Sequence, residues 1–70
     1  MDDDPRRYMQ VAAKFRGQIT DGWLTAGDRL PPVRMVREAT GYAVGTIRQA
    51  YRVLAKEGLV RARGNRYYVK

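Results

Sequence analysis

Two short amphipathic segments in the middle of the chain lie so close together that few folds accommodate them. Apolar residues recur at helical spacing through residues 33–39 and again through residues 47–54. Gly41 and Gly58 are placed to end the two segments, and only residues 42–44 separate Gly41 from the second one. A pair of helices joined by such a short turn predicts a helix-turn-helix.

A longer helix is predicted before this pair. Asp4 is placed to cap it, Pro5 suits its first turn, and Gly22 is placed to end it. An apolar stripe at helical spacing runs along it, formed by Tyr8, Val11, Ala12, Phe15 and Ile19. Between this helix and the pair, Arg29-Leu30 is long enough only for a fragment of an edge strand. We expect the apolar stripe to pack in the core together with Leu24, Leu30, Ile47, Tyr51 and Leu54.

The last twelve residues predict a β-hairpin with a two-residue turn at Gly64-Asn65. In that register Arg63 lies opposite Arg66, and opposed residues share one face of the sheet. One face then carries Val60, Ala62, Tyr67 and Val69, and the other carries Arg61, Arg63, Arg66 and Tyr68. Two arginines directly opposite each other destabilise a hairpin unless an anion lies between them, so this tip predicts an anionic partner.

The positive charge is confined to one half of the chain. The sequence has 14 Lys plus Arg and 7 Asp plus Glu, a net charge of +7. Residues 1–30 hold five of each sign, so the excess lies in residues 31–70, which hold nine basic and two acidic residues. Seven of those nine are Arg, whose planar fork pairs with phosphate and with guanine edges. A polyanion is therefore the expected partner.

Several classes of protein are excluded by what the sequence lacks. It has no Cys, no His and no Ser, so the usual nucleophiles and the imidazole base are missing and we expect no enzyme. We expect no metal, no cofactor and no disulfide. The apolar runs are too short for a membrane span, and Met1-Asp2-Asp3-Asp4 is unlike a secretory signal, so a cytoplasmic location is expected. Seventy residues suffice for one small core, hence one domain over residues 1–70.

Together these elements predict an α+β fold of the winged helix-turn-helix type. It comprises three helices, a short strand before the second helix, and a two-stranded wing. The third helix, at about residues 44–57, would lie in the major groove of DNA, and the wing, at about residues 59–70, on the backbone or in the minor groove. The residues predicted to contact DNA are Arg34, Val44, Gly45, Thr46, Arg48, Gln49, Arg52, Arg61, Arg63, Gly64, Asn65 and Arg66.

Six of these assignments have particular reasons. Thr46, Arg48, Gln49 and Arg52 are expected on the side of the third helix that faces away from its apolar stripe. Gly45 lowers helix propensity by about 1 kcal/mol relative to Ala, a cost explained if the backbone approaches DNA closely. If Val44 contacts DNA, a thymine methyl is its expected partner. For both Val44 and Gly45 the alternative, given equal weight, is an ordinary turn that enters a helix.

The order of residues resembles the GntR-type bacterial transcriptional regulators from Tyr8 to Val69. The resembling segments are Tyr8-Met9-Gln10-Val11-Ala12, Ile19-Thr20-Asp21-Gly22-Trp23-Leu24, Gly27-Asp28-Arg29-Leu30-Pro31 with Arg34, Thr46-Ile47-Arg48-Gln49-Ala50, and Glu57-Gly58-Leu59-Val60. The resemblance implies DNA contacts for Arg34 and Arg48 and identifies Gly64 with the wing glycine of the family. It also implies a bacterial regulator, most simply a repressor, that could bind a palindromic operator as a homodimer.

The chain departs from the family pattern at three places. Pro32 stands where the family usually has a capping Ser, and Ala43-Val44 stand where it often has Ser-Arg, so a different base preference is expected. The wing is one residue shorter than usual and has Arg66 in place of a second glycine. The family adds a C-terminal effector and dimerisation domain, whereas these residues end at Lys70; a small-molecule effector is expected only if such a domain exists outside this chain.

Sequence-specific binding of double-stranded DNA as a transcriptional regulator is the function these observations favour. The alternative is a winged helix that docks RNA or another protein. RNA-binding modules usually offer exposed aromatic side chains for stacking, and Tyr68 and Tyr42 are the candidates expected outside the core. A protein-docking module would expose an apolar patch instead of an arginine-rich face.

Overall fold

The computed structural model describes residues 5–70, and within them the elements follow the predicted order. Three helices precede a hairpin: α1 Pro5–Thr20, α2 Val33–Thr40, α3 Val44–Lys56, β1 Val60–Arg63 and β2 Arg66–Val69. The predicted cap at Asp4 lies outside the described residues. The predicted winged helix-turn-helix is confirmed, and the ends of its helices agree with the predicted glycine stops to within two residues.

The first helix is fixed by its apolar stripe. Val11, Ala12 and Phe15 are buried, while Tyr8 and Ile19 are half-buried against the same core. The stripe packs on α3, so the longest helix forms the back of the domain and leaves the opposite side of α3 uncovered.

The turn between α2 and α3 is held by backbone conformation and by one threonine. Gly41 has a φ of 80°, a left-handed conformation that favours glycine, and its N–H donates to the carbonyl of Arg37 at 2.8 Å. The Thr40 hydroxyl donates to the carbonyl of Val36 at 2.7 Å and accepts the N–H of Tyr42 at 3.3 Å. Neither α2 nor α3 has a side-chain cap at its start, as Pro32 and Ala43 led us to expect. Ala39, predicted on the apolar face of α2, is instead exposed.

The hairpin has the predicted register. Val60 pairs with Val69 and Arg63 with Arg66. Gly64 has a φ of 64° while Asn65 has no positive φ, the pattern of a type II′ turn with glycine at its first central position. The register is set by the turn and by the two buried valines, because a shift of one residue would turn both outward.

The predicted edge-strand fragment joins the free edge of β2. Arg29 forms an isolated antiparallel bridge with Tyr68. The N–H of Leu30 donates to the carbonyl of Tyr67 at 2.8 Å, and the N–H of Val69 donates to the carbonyl of Asp28 at 2.8 Å. The segment that leads into α2 is therefore anchored to the wing.

Tyr51 of α3 is buried in the core and contacts three other segments of the chain. Its ring makes edge contacts with Phe15 and Tyr67 at centroid distances of 5.4 and 5.3 Å. Its hydroxyl donates to the carbonyl of Pro31 at 2.7 Å. Burial raises the pKa of the Tyr51 phenol well above its ordinary value.

One ion pair joins α1 to the end of α3. Arg16 donates through Nε and Nη2 to the two carboxylate oxygens of Glu57, at 2.9 and 2.7 Å. These hydrogen bonds raise the pKa of Arg16 and lower that of Glu57. Both side chains are partly exposed, so the pair serves to orient α1 on α3 more than to stabilise the fold.

Candidate nucleic-acid interface

The uncovered side of α3 carries the polar residues that the sequence predicted there, with one exception. Gly45, Arg48 and Arg52 are exposed, and Gln49 is half-buried. The opposite side of the helix is fully buried at Ile47, Ala50, Tyr51 and Leu54. Because these apolar residues fix the rotation of the helix, Arg48 and Arg52 project from one flank of α3, one turn apart.

Thr46 is the exception, because the predicted outward orientation of its side chain is wrong. It is only 4% exposed and lies among the buried residues of α3. Its position places it one residue before Ile47, at the border of the apolar stripe, where the neighbouring packing covers it. The free protein therefore does not offer this hydroxyl to a partner.

The first turn of α3 is open and lacks side-chain bulk. Val44 begins the helix and is half-buried, while Gly45 is exposed. A Cβ built on Gly45 meets nothing within 4 Å, and the residue does not have a positive φ. Nothing in the described part of the chain therefore requires glycine at this position, although glycine costs helix stability.

The wing tip presents charge and backbone to solvent. Arg63, Gly64, Asn65 and Arg66 are all exposed, and Arg61 is exposed one pair further from the turn. Among the described residues, neither Arg63 nor Arg66 has an ion-pair partner. Two adjacent guanidinium groups without a carboxylate repel each other, so the tip is stabilised when an anion binds it.

A cleft of about 470 Å³ separates α3 from the wing and brings several of these residues together. Arg48 and Arg52 lie on the helix side, and Gly64, Asn65 and Arg66 lie on the wing side. Arg34 is exposed on α2 but does not line the cleft. The predicted site residues therefore fall into a strip along α3, a wing tip facing it, and Arg34 apart from both.

The sequence prediction missed two exposed side chains. Arg29 lines the cleft, because its bridge to Tyr68 brings it beside the wing. The predicted strand fragment at Arg29 could have indicated this, had its partner strand been assigned. Trp23 is 81% exposed in the loop after α1, and no periodicity marks a single exposed aromatic in a loop.

The tyrosines expected to be free for stacking are less available than Trp23. Tyr42 and Tyr68 are both half-buried. The hydroxyl of Tyr42 donates to Oε1 of Gln10 at 3.0 Å, which fixes its ring beside α1. Trp23, the most exposed of these aromatic side chains, does not line the cleft.

Residues 5–70 contain neither a cluster of metal ligands nor a membrane-spanning helix. These residues contain no group of three or more His, Cys, Asp or Glu placed to hold a metal ion. Among the helices that the structure describes, none is long and apolar enough to cross a membrane.

Comparison with known proteins identifies the same region. The profile of the family described as "Bacterial regulatory proteins, gntR family" matches residues 7–68. The Escherichia coli K12 "Uncharacterized HTH-type transcriptional regulator YdcR" is 37% identical over 65 residues, which cover 91% of this chain and 14% of that protein. The "Mannosyl-D-glycerate transport/metabolism system repressor MngR" of the same strain is 36% identical over 64 residues, covering 90% of this chain and 27% of that protein.

A solved structure with DNA shares the fold. The DNA-binding domain of AraR in complex with operator ORX1 superposes with a TM-score of 0.86 at 25% identity, covering 91% of this chain and 78% of that one. The chain spans about one seventh to about a quarter of the length of the curated relatives it matches, since it covers 14% and 27% of YdcR and MngR.

Proposed function

The chain belongs to the gntR family of bacterial regulatory proteins, and we propose that residues 1–70 form a domain that binds a specific sequence of double-stranded DNA to regulate transcription. The observation that carries this proposal is the pairing of Arg48 and Arg52 on the open flank of α3 with an arginine-bearing wing across one cleft. A helix and a hairpin presented side by side suit adjacent grooves of a duplex.

Each site residue has a proposed role. Arg48, near the start of α3, reads a base edge in the major groove, and Gln49 and Val44 contact neighbouring bases. Gly45 lets the backbone approach the duplex. Arg52 and Arg34 contact phosphates. In the wing, Arg61, Arg63 and Arg66 contact phosphates or a narrow minor groove, and Gly64 and Asn65 form the inserted turn. We assign no direct contact to Thr46, because its side chain is buried.

The wider role follows from this binding activity. We propose a repressor, because a bound domain blocks access to its operator and because the relative MngR is named a repressor. The domain acts in the cytoplasm, where bacterial DNA lies. We propose no enzymatic activity, because DNA recognition needs no chemical step. A homodimer would read a palindromic operator, and a small-molecule effector would require residues outside this chain.

The test is selection of binding sites from random duplex DNA, followed by a salt titration on the selected site. Each phosphate neutralised contributes roughly −0.9 to the slope of log affinity against log salt concentration, so several contacts should give a steep slope. A single-stranded RNA of the same sequence serves as the control. Equal affinity for the RNA, or an affinity for duplex DNA that salt leaves unchanged, would contradict the proposal.

A further inference from the structure

The cleft between α3 and the wing has walls of one charge. Four arginines line it, Arg29, Arg48, Arg52 and Arg66, and no Asp or Glu does. None of the four has an ion-pair partner among residues 5–70. Four unneutralised guanidinium groups around one cleft are mutually repulsive, and a bound anion relieves that repulsion.

The cleft also has an apolar part and is present in the free protein. Leu30, Pro31, Tyr51 and Tyr67 line it together with the arginines. The hydrogen bond from the Tyr51 hydroxyl to the Pro31 carbonyl, 2.7 Å long, joins α3 to the segment that leads into α2. The cleft is therefore formed before any ligand arrives, and no binding energy is consumed in opening it.

Arg29 is held on a rigid support. It does not belong to α3 or to the hairpin, yet the bridge to Tyr68 and the hydrogen bonds of its neighbours Asp28 and Leu30 anchor its backbone to β2. Its side chain is exposed at the cleft. An arginine on an anchored backbone loses less freedom when it grips a ligand than one on a free loop does.

The shape of a duplex indicates what fills such a cleft. A major groove and its neighbouring minor groove are separated by one sugar–phosphate strand. If α3 enters the first and the wing tip the second, that strand has to pass between them. We infer that the cleft seats this strand, and that Arg29 and Arg52 hold the same backbone phosphate from opposite sides.

This inference rests on the proposed function but adds Arg29 to the interface. The probe is the selected duplex carrying a single neutral methylphosphonate, placed in turn at each phosphate between the two grooves. Wild-type protein should lose about tenfold in affinity at one or two positions, the size of one charge-assisted contact. Arg29→Ala should weaken binding to unmodified DNA and should lose less affinity than wild type does at those positions, because only Arg52 still contacts that phosphate.

A double-variant comparison tests whether two arginines share one phosphate. The fold-loss in affinity of the double variant Arg29→Ala/Arg52→Ala should be smaller than the product of the two separate fold-losses. Each single variant already weakens the contact with the same phosphate, so the two losses overlap. Lys14→Ala removes a charge from α1, outside the cleft lining, and its loss should multiply independently with that of Arg29→Ala.

The outcomes separate the two proposals. Failure to bind any duplex would refute the proposed function and this inference with it. Specific duplex binding in which Arg29→Ala keeps the full methylphosphonate sensitivity would overturn the inference alone. Unchanged far-ultraviolet circular dichroism and melting temperature of Arg29→Ala would show that its weaker binding reflects the missing side chain and not a displaced wing.

Discussion

Gly45 lowers the stability of α3, and nothing in the described structure requires a glycine there. It lies exposed in the first turn of α3, and an added Cβ would meet nothing within 4 Å. We expect Gly45→Ala to stabilise the domain by about 0.5 to 1 kcal/mol while weakening its binding to the selected duplex. Gly17→Ala in α1 is the matched control, since its Cβ is equally unopposed. If Gly45→Ala is stabilised and binds DNA as wild type does, Gly45 is not at the interface.

Tyr51 connects a single hydrogen bond to the pH dependence of stability. Its folded-state pKa is raised by burial, so the folded protein keeps the phenolic proton at a pH where the unfolded chain releases it. Stability from this group is complete below about pH 10, the ordinary pKa of tyrosine, and falls as the pH rises above it. Tyr51→Phe should lose about 1 to 3 kcal/mol at neutral pH, because the Pro31 carbonyl loses its donor.

The difference between wild type and Tyr51→Phe should then narrow at about pH 11, because the variant has no proton to release at this position. Urea unfolding of both proteins at neutral and alkaline pH measures this. A stability difference that stays constant across that range would show that the phenol is not protected from titration.

The wing is the element in which the proposed function conflicts with the stability of the fold. Arg63 lies opposite Arg66 in the hairpin, a like-charge pair that costs stability. Arg63→Glu makes the pair one of opposite charge and should raise the stability of the free domain by about 0.2 to 1 kcal/mol. Arg61→Glu, opposite Tyr68, changes the net charge equally without that benefit. The melting temperature of Arg63→Glu should therefore exceed that of Arg61→Glu, and both variants should bind DNA more weakly than wild type. Equal melting temperatures would show that the cross-strand repulsion does not lower stability.

Element type and register could be predicted because local rules determine them. The Gly64-Asn65 turn leaves one register for the hairpin, and Gly41 stops α2 where its spacing indicates. Thr46 could not be placed as reliably. It lies at the border of the apolar stripe on α3, where tertiary packing and not helical spacing decides which side chains are covered. Arg29 was missed for a related reason, since its position depends on a pairing with β2 that is distant in sequence.

For the whole molecule, the property to test is which element reads bases and which contacts phosphates, α3 or the wing. Arg48 is exposed on α3 near its start, the part of a recognition helix that contacts base edges in helix-turn-helix proteins. Arg48→Ala should therefore cost about 1 to 3 kcal/mol on the selected duplex and much less on a scrambled one, with preference relaxed at one base pair. Arg66→Ala in the wing should weaken both duplexes by similar amounts and reduce the salt slope by about 0.9 for each phosphate that the variant no longer neutralises.

Binding curves for these two variants on both duplexes, at two salt concentrations, measure this division. Arg37→Ala is a control for the loss of one positive charge, because Arg37 is exposed on α2 outside the cleft lining. The reverse pattern, in which Arg48→Ala weakens both duplexes equally and Arg66→Ala weakens only the selected one, would place the wing on the bases and α3 on the backbone. The wing tip, with its two arginines and no carboxylate, argues for phosphate contact there, because guanidinium groups set side by side are neutralised best by consecutive phosphates of one strand.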